Sequence, residues 1–182
     1  RIINKQTTRA INKQFVTLAR KHGMRSKAFC SLGHPGETQE SAQNLKSWII
    51  EAEPDDFDVT VITIYPGTPI WAERERVGTT EDGQPICKYE KKSKNPIENG
   101  ATLYFEEVDY SKEFSFYKGR PKEYVSHVWT PDLSKEELVS LRDEIEEDAR
   151  NVLGIPYPKR YSGDQYEHSM GQSNPKDLKV NA

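Results

Sequence analysis

The chain has 182 residues, of which 34% are apolar and 30% are charged, and its formal net charge is −3. This composition supports one lean core and argues against a broad nucleic-acid-binding surface. No apolar run approaches the roughly 18 residues needed to span a membrane. The only two cysteines, Cys30 and Cys87, form no disulfide framework, so a cytoplasmic location is expected.

The first part of the chain alternates between helical and strand periodicity. Residues 8–22 and 38–52 have apolar side chains at helical spacing, and residues 27–32 and 57–64 have the apolar or β-branched composition of strands. This order predicts parallel strands covered by helices. The stripes expected to be buried are Ile11, Phe15, Leu18 and Ala19 in the first helix, and Ala42, Leu45, Ile49 and Ala52 in the second.

Two loops containing glycine and proline follow the predicted strands. The first is Gly33–Thr38 (GHPGET) and the second is Tyr65–Pro69 (YPGTP). Glycine lets a ligand approach the backbone closely, and the start of the following helix favours an anion. Loops at the carboxyl ends of parallel strands hold cofactors and substrates in α/β proteins. The alternative is that each loop is only a strand-to-helix turn.

The character of the chain changes after Arg76. Residues 78–100 are rich in Gly, Pro, Lys and Glu and are expected to be irregular. Strand-like runs at residues 101–108, 113–117 and 123–129 predict either a small antiparallel meander or a set of long loops. The dense aromatic residues of this region are expected to form its core, or alternatively a wall over a binding site. We expect residues 78–119 to close over the mouth of the α/β part.

The strongest predicted helix begins after Ser134, which matches a capping box with Glu137. The helix extends to Val152 and is ended by Gly154. Its acidic stretch Glu144–Asp148 is expected to be a solvated face. From residue 157 onward the chain is polar and is expected to be an extended tail. The predicted organisation therefore has three parts, at residues 1–77, 78–130 and 131–182.

The two loops also resemble a known family. The segment RIINK at residues 1–5, the GHPGET loop and the YPGTP loop occur in the order and spacing of the second half of a radical S-adenosylmethionine (radical SAM) domain. The resemblance covers residues 1–76 and is nearest to the subset with cobalamin-binding radical enzymes and methylthiotransferases. It implies an α/β fold: the carboxyl-terminal strands and helices of a partial (β/α) TIM-like barrel, followed by a mixed α+β extension.

The resemblance implies that the chain is the carboxyl-terminal portion of a cytoplasmic enzyme that cleaves S-adenosylmethionine at a 4Fe-4S iron–sulfur cluster to start radical chemistry. Cobalamin-dependent methylation, a transferase reaction, is one form of that chemistry. The implied partners are a small-molecule or peptide substrate and an electron donor such as flavodoxin or ferredoxin; the net charge and the lack of a long apolar run indicate neither nucleic acid nor membrane as a partner. The implied cofactor-binding residues are Gly33, Pro35, Gly36, Glu37, Tyr65, Pro66, Gly67 and Thr68, and no catalytic residue is assigned.

The sequence departs from the family at the cluster. The family uses a C-x-x-x-C-x-x-C loop, because three thiolates must hold the cluster while one iron stays open. Cys30 and Cys87 are far apart and cannot do this, so the cluster ligands are expected outside this chain, and the segment alone is expected to be inactive. Two rivals stay open: a small α/β anion-binding module, and a non-catalytic interaction domain.

For several single residues, a structural role is the alternative to a role in binding or catalysis. His34 could bind a substrate or move a proton, but a loop histidine is more often solvated. Glu37 could bond to loop N–H groups or to the amino group of the cofactor. Cys30 lies in an apolar strand and is expected to be an inert core thiol, and Cys87 has no partners for a metal site.

Overall fold

The computed structural model describes residues 7–96, 98–109 and 124–156 as a mixed α/β structure with two small sheets and no closed barrel. A parallel pair of strands is followed by a four-stranded antiparallel sheet in the order β3-β4-β5-β6. Among these residues no helix has the length and apolar character required to cross a bilayer. The elements are α1 (Arg9–Lys21), β1 (Lys27–Leu32), α2 (Gln39–Ala52), β2 (Asp56–Val61), α3 (Pro69–Ala72), β3 (Glu75–Thr79), β4 (Pro85–Glu90), β5 (Thr102–Glu106), β6 (Val128–Trp129) and α4 (Lys135–Leu153).

Local capping explains where the helices begin. The Thr8 hydroxyl accepts from the N–H of Ile11 at the start of α1, and Thr38 and Ser134 each form a capping box at the start of α2 and α4. Such caps satisfy N–H groups that have no partner inside the helix. Gly154 ends α4 in the left-handed conformation, with φ 65°. The predicted helices are therefore confirmed to within a residue or two at their ends.

The predicted apolar stripe of α1 points outward. Ala19 is buried as expected, together with Val16. Ile11, Phe15 and Leu18 are instead 54%, 65% and 46% exposed. The other side of α1 lies against α2, where Lys13 binds Glu51 and the indole N–H of Trp48 donates to the Arg9 carbonyl. The expectation of burial was thus wrong for three of its four residues, because polar contacts hold that side of α1 toward α2.

The two parallel strands have one covered face and one open face. The register places Ala28, Cys30 and Leu32 beside Phe57, Val59 and Val61, and most of this face is buried under α2 and α4. Because side chains alternate along a strand, the other face carries Lys27, Phe29 and Ser31 from β1 and Asp58 and Thr60 from β2. Phe29 on this open face is 62% exposed.

The outer edge of β2 is sealed by side chains instead of by a third strand. The Val59 N–H donates to Glu146 Oε1 at 2.6 Å, and Arg142 Nε donates to the Val59 carbonyl at 2.9 Å. The Tyr124 hydroxyl lies 3.0 Å from the Val61 nitrogen and 3.2 Å from its carbonyl oxygen. Helix α4 and Tyr124 therefore take the place of a neighbouring strand, because buried backbone groups need partners.

The charges in this seal are paired with one another. Arg150 is 3% exposed; its guanidinium binds Glu146 at 2.7 Å and Asp56 at 3.1 Å and also donates to the Phe57 carbonyl. Burial opposes the charged form of Arg150, but Glu146 and Asp56 outweigh it and raise its pKa. Glu146 is thus buried, which corrects the expectation that the acidic side chains of residues 144–148 form a solvated face; Glu144, Glu147 and Asp148 are exposed.

The region expected to be irregular contains regular strands. Strand β4 lies within residues 78–100, and β3 runs across the predicted boundary between residues 77 and 78. The antiparallel meander expected from residue 101 onward is confirmed for β5 and the short β6, which pair in sequence with β4. Phe105 and Tyr124 belong to the same buried core as β1 and β2. The predicted run 113–117 and the predicted tail lie outside the described residues.

We expect Glu146→Ala to lower the free energy of unfolding by about 3–5 kcal/mol, because it leaves Arg150 buried without its main carboxylate and the Val59 N–H without an acceptor. Glu147→Ala, one residue away on an exposed position, is the control and should change stability by less than about 0.5 kcal/mol. Urea denaturation followed by circular dichroism measures both. Equal stability of the two variants would show that the seal does not stabilise the fold.

A half-buried carboxylate, that of Glu107, joins the residues after α3 to β3 and β4. Glu107 binds the Arg76 guanidinium at 2.7 Å and that of Arg74, and it accepts from the Cys87 thiol at 3.3 Å. Burial alone would raise the pKa of Glu107, but hydrogen bonds from Arg76 and Arg74 prevail and hold the pKa at about 2. The ionised form is therefore the one that the folded chain stabilises.

We expect Glu107 to contribute stability above its ordinary pKa of about 4.3 and to lose that contribution as the pH falls toward about 2. Glu107→Gln should cost roughly 2 kcal/mol at pH 7, and its difference from the parent should shrink below pH 4. Glu81→Gln, on an exposed turn residue, is the control. Denaturation midpoints between pH 2 and 7 provide the measurement, and a constant difference across that range would contradict this assignment.

Candidate functional site

The two motif loops follow strands whose carboxyl ends lie on the same side of the parallel sheet. Strands β1 and β2 pair in register along their whole length, and the Ile62 N–H continues the ladder by donating to the Leu32 carbonyl at 2.9 Å. Both strands therefore end on the same side of the sheet, where Gly33–Thr38 follows β1 directly and Tyr65–Pro69 follows β2 after residues 62–64. The parallel pairing of the two strands is the arrangement that the sequence predicts.

The first loop is closed by its own carboxylate. Glu37 is 8% exposed, and its carboxylate binds the Ser41 hydroxyl and the backbone of His34 and Gly33. Burial raises the pKa of Glu37, although these hydrogen bonds act in the opposite direction. The Glu37 carboxyl group thus takes the acceptor position that the oxygens of a ligand would otherwise take in this loop.

The other donors of the first loop also have protein acceptors. The N–H of Gly36 donates to the Thr102 carbonyl at 3.2 Å, that of Glu37 to the His34 carbonyl at 2.9 Å, and that of Thr38 to Ser41 Oγ at 3.0 Å. A loop that binds anions needs N–H groups directed at the ligand. These contacts leave little donor capacity for an external anion.

Protein atoms fill the space that the loop glycines leave. A Cβ on Gly33 would lie 2.9 Å from Val128 Cγ2 and 3.0 Å from Val61 Cγ1, and one on Gly36 would lie 3.1 Å from Ala101 Cβ. Both glycines have positive φ, at 79° and 76°, and the Pro35 side chain is fully buried. The loop therefore acts as the joint on which the antiparallel sheet packs against the parallel one.

The second loop is open where the first is filled. Gly67 has φ 86°, and no heavy atom outside its neighbours lies within 4 Å of the position of an added Cβ. Tyr65 is 41% exposed, and Pro66 is exposed as well. Thr68 caps α3: its hydroxyl accepts from the Trp71 N–H at 3.3 Å and donates to the Tyr65 carbonyl at 2.8 Å. The hydrogen bonds of Thr68 thus hold the turn in place, while Tyr65, Pro66 and Gly67 are accessible to solvent.

A histidine and a serine meet at the end of the open face. His34 Nε2 lies 2.8 Å from Ser31 Oγ, and Ser31 shares its face of β1 with exposed Phe29. Thr60, opposite Ser31 in the register, is also exposed. Polar side chains and an aromatic ring therefore line the face that no helix covers in the described part of the chain.

The charges of the open face lie at its amino end. Lys27 Nζ binds Asp56 at 2.9 Å and Asp58 at 3.0 Å. Burial would lower the pKa of Lys27, but the two carboxylates outweigh it and raise the pKa. The lysine and the aspartates thus compensate one another, away from the rim that carries the loops.

The cysteines do not fit a metal site. Cys30 is on the helix-covered face, and burial, with the charges of Glu146 and Asp58, raises the pKa of its thiol to about 12. Burial, followed by Glu107, also raises the pKa of the Cys87 thiol. Both are free thiols, and the described residues contain no group of three or more His, Cys, Asp and Glu side chains suited to a metal ion. The two thiols lie in different sheets, and an open-site cluster needs three thiolates, so Cys30 and Cys87 do not suit an iron–sulfur cluster.

The structure separates the eight predicted cofactor-binding residues into two groups. Gly33, Pro35 and Glu37 are buried within protein contacts, whereas Gly36, Tyr65, Pro66 and Gly67 are exposed and Thr68 is half-buried. Sequence reasoning did not single out Phe29, Ser31 and Thr60. Their alternation with buried residues on β1 and β2 is a signal that could have placed them on one face.

Comparison with known proteins gave no match to a protein-family model, a curated protein or a solved structure. The site must therefore be interpreted from its own geometry.

We expect Gly33→Ala to lower the free energy of unfolding by about 2–3 kcal/mol, because the new methyl group meets Val128 and Val61 and the residue also has positive φ. Gly67→Ala should lower the free energy of unfolding by only about 1 kcal/mol, because positive φ is unfavourable for alanine but the new methyl group meets no neighbouring atom. Chemical denaturation of the two variants in parallel isolates the packing contribution. A larger loss for Gly67→Ala would contradict the assignment of the first loop as a packing joint.

Proposed function

We propose that this chain is the carboxyl-terminal part of a radical SAM enzyme and that it supplies one side of the S-adenosylmethionine pocket and part of the substrate wall. The observation that carries the proposal is that the GHPGET and YPGTP motifs follow the carboxyl ends of two in-register parallel strands. In α/β proteins cofactors bind at the carboxyl ends of the parallel strands.

The contrast between the two edges of the sheet supports this proposal. The edge of β2 is sealed by α4 and Tyr124, whereas β1 pairs only with β2 among the described strands. The exposed stripe of Ile11, Phe15 and Leu18 belongs to α1, the element before β1. Further strands and helices of a partial barrel would extend the sheet from β1 and cover this stripe. Large exposed apolar surfaces commonly mark such contacts.

Within the proposed pocket, the second loop is the better platform for the flat adenine. Gly67 leaves room for close approach of a ligand, and exposed Tyr65 offers a ring beside it. The buried residues Gly33, Pro35 and Glu37 would support the pocket by holding the rim in place. Direct contacts with the cofactor fall to Tyr65, Pro66, Gly67 and the exposed backbone of Gly36.

The cluster that the resemblance implies has no ligands in this chain. The protonated Cys30 and Cys87 thiols do not suit it, so its cysteines would belong to another part of the enzyme. Cobalamin, a substrate and an electron donor such as flavodoxin or ferredoxin belong to the same proposal. This chain would contribute their surroundings without supplying the redox centre.

The anion-binding module is the less supported rival. Its loop would need free donors, whereas the N–H groups of Gly36, Glu37 and Thr38 all bond within the protein. A non-catalytic interaction domain could use the exposed stripe of α1, but it would leave the open rim at Gly67 without a role. Cofactor binding therefore distinguishes the enzyme from both rivals.

In the full-length enzyme, we expect Gly67→Val to weaken S-adenosylmethionine binding at least tenfold, because the side chain fills the space beside the strand end. His34→Ala should change the affinity by less than about twofold, because its imidazole is directed toward Ser31. Isothermal titration calorimetry measures both, and circular dichroism controls for folding. Unchanged affinity for Gly67→Val would remove this loop from the cofactor site and undercut the family assignment.

We further expect anaerobic reconstitution of this 182-residue chain with iron and sulfide to give no stable four-iron chromophore, because three suitable thiolates are missing. The full-length enzyme under the same conditions should show the broad absorption of a bound cluster. A stable, active cluster on this chain alone would refute the proposal that the ligands lie elsewhere.

A further inference from the structure

We propose that the open β1–β2 face, from Phe29 to the carboxyl ends of the strands, binds a planar heteroaromatic group of the substrate. In this arrangement the Phe29 ring packs against the flat ligand, and Ser31, His34 and Thr60 bond to its polar rim. The inference rests on the proposed function, because it treats this face as the substrate wall of the enzyme.

The spacing of these side chains suits a flat, two-ring system. Phe29 and Ser31 are two residues apart on one face, which separates them by about 6.6 Å along β1. Thr60 is opposite Ser31 on the neighbouring strand, about 4.8 Å away. An aromatic surface and a row of hydrogen-bonding groups thus lie side by side, as in sites that combine apolar contact with a few orienting polar groups.

Hydrogen bonds within and beside the first loop hold the side chains of Ser31 and His34 in place. His34 Nε2 lies 2.8 Å from Ser31 Oγ, and the His34 carbonyl accepts from the Glu37 N–H at 2.9 Å. The buried Glu37 carboxylate also bonds to the backbone of His34. The imidazole and the hydroxyl are therefore positioned together at the end of β1. A ligand would meet a pair of fixed groups that can both donate and accept hydrogen bonds.

The charges of this face favour a neutral ring. Lys27 is held between Asp56 and Asp58 at the amino end of the strands. Phe29 lies opposite Asp58 in the register, and Lys27 Nζ is 5.7 Å from the centroid of its ring. Beyond Phe29 the carboxyl end presents two hydroxyls and an imidazole, with the Glu37 carboxyl group turned into its own loop. Aromatic rings pack well against exposed phenyl groups. A purine- or indole-like group matches this surface better than a phosphate or a carboxylate does.

The test uses the full-length protein with ¹³C-labelled histidine and phenylalanine, titrated with indole, guanosine and ribose while ring signals are followed by nuclear magnetic resonance. Indole and guanosine should shift the signals of Phe29 and His34, and ribose should not. Phe29→Ala should weaken indole binding at least tenfold. Ser31→Ala should weaken guanosine about fivefold and leave indole unchanged.

Val152→Ala is the matched control, since Val152 is 64% exposed on α4, and it should bind both probes as the parent does. The inference is overturned if the flat probes bind no more tightly than ribose, or if Phe29→Ala binds indole as well as the parent. Calorimetry with S-adenosylmethionine on the same samples tests the proposed function separately. Loss of cofactor binding alone would refute that function, and loss of flat-probe binding alone would refute this inference.

Discussion

The fold depends on the way α4 and Tyr124 satisfy the outer edge of β2. A buried strand edge without partners would leave several N–H and C=O groups unsatisfied, each at a cost of about 1–3 kcal/mol. Glu146, Arg142 and Arg150 supply these partners while pairing their own charges. Because α4 packs on β2 and also contacts α2 and β6, the same helix holds the parallel layer and the antiparallel sheet together. This packing holds β1 and β2 together, so that the strands before the two motif loops end on the same side of the sheet.

The two loops divide the work of the proposed site. The first loop is a finished internal structure, with its own carboxylate and with both glycine positions occupied by protein neighbours. The second loop keeps a glycine with open space above it. Similar glycine- and proline-rich sequences thus have different physical roles, and the surroundings of each glycine decide which role applies. A motif in sequence therefore identifies a place on the fold before it identifies a contact with a ligand.

The sequence predicted the parallel α/β part well because its signals are local. Helical spacing, the capping box at Ser134 and the β-branched run of β2 each act within a few residues. The seal at β2 was not predictable, since buried Glu146 and exposed Glu147 are neighbours in one acidic stretch, and only tertiary packing distinguishes them. Strand β4 was missed because Gly, Pro and Lys around it resemble a loop composition. The outward stripe of α1 was missed because periodicity indicates a face without indicating what covers it.

The seal at β2 also limits how copies of this chain could associate through the parallel sheet. Growth of a continuous sheet from molecule to molecule requires two available edges on each copy, one to receive a strand and one to offer. Here the side chains of α4 occupy the β2 edge, so among the described strands of this sheet a second copy of the chain by itself could add at β1 and not at β2. Such an addition would use the β1 edge of both molecules and would stop at a symmetric pair. Helix α4 thus prevents copies of the chain from forming a fibre by continuing this sheet.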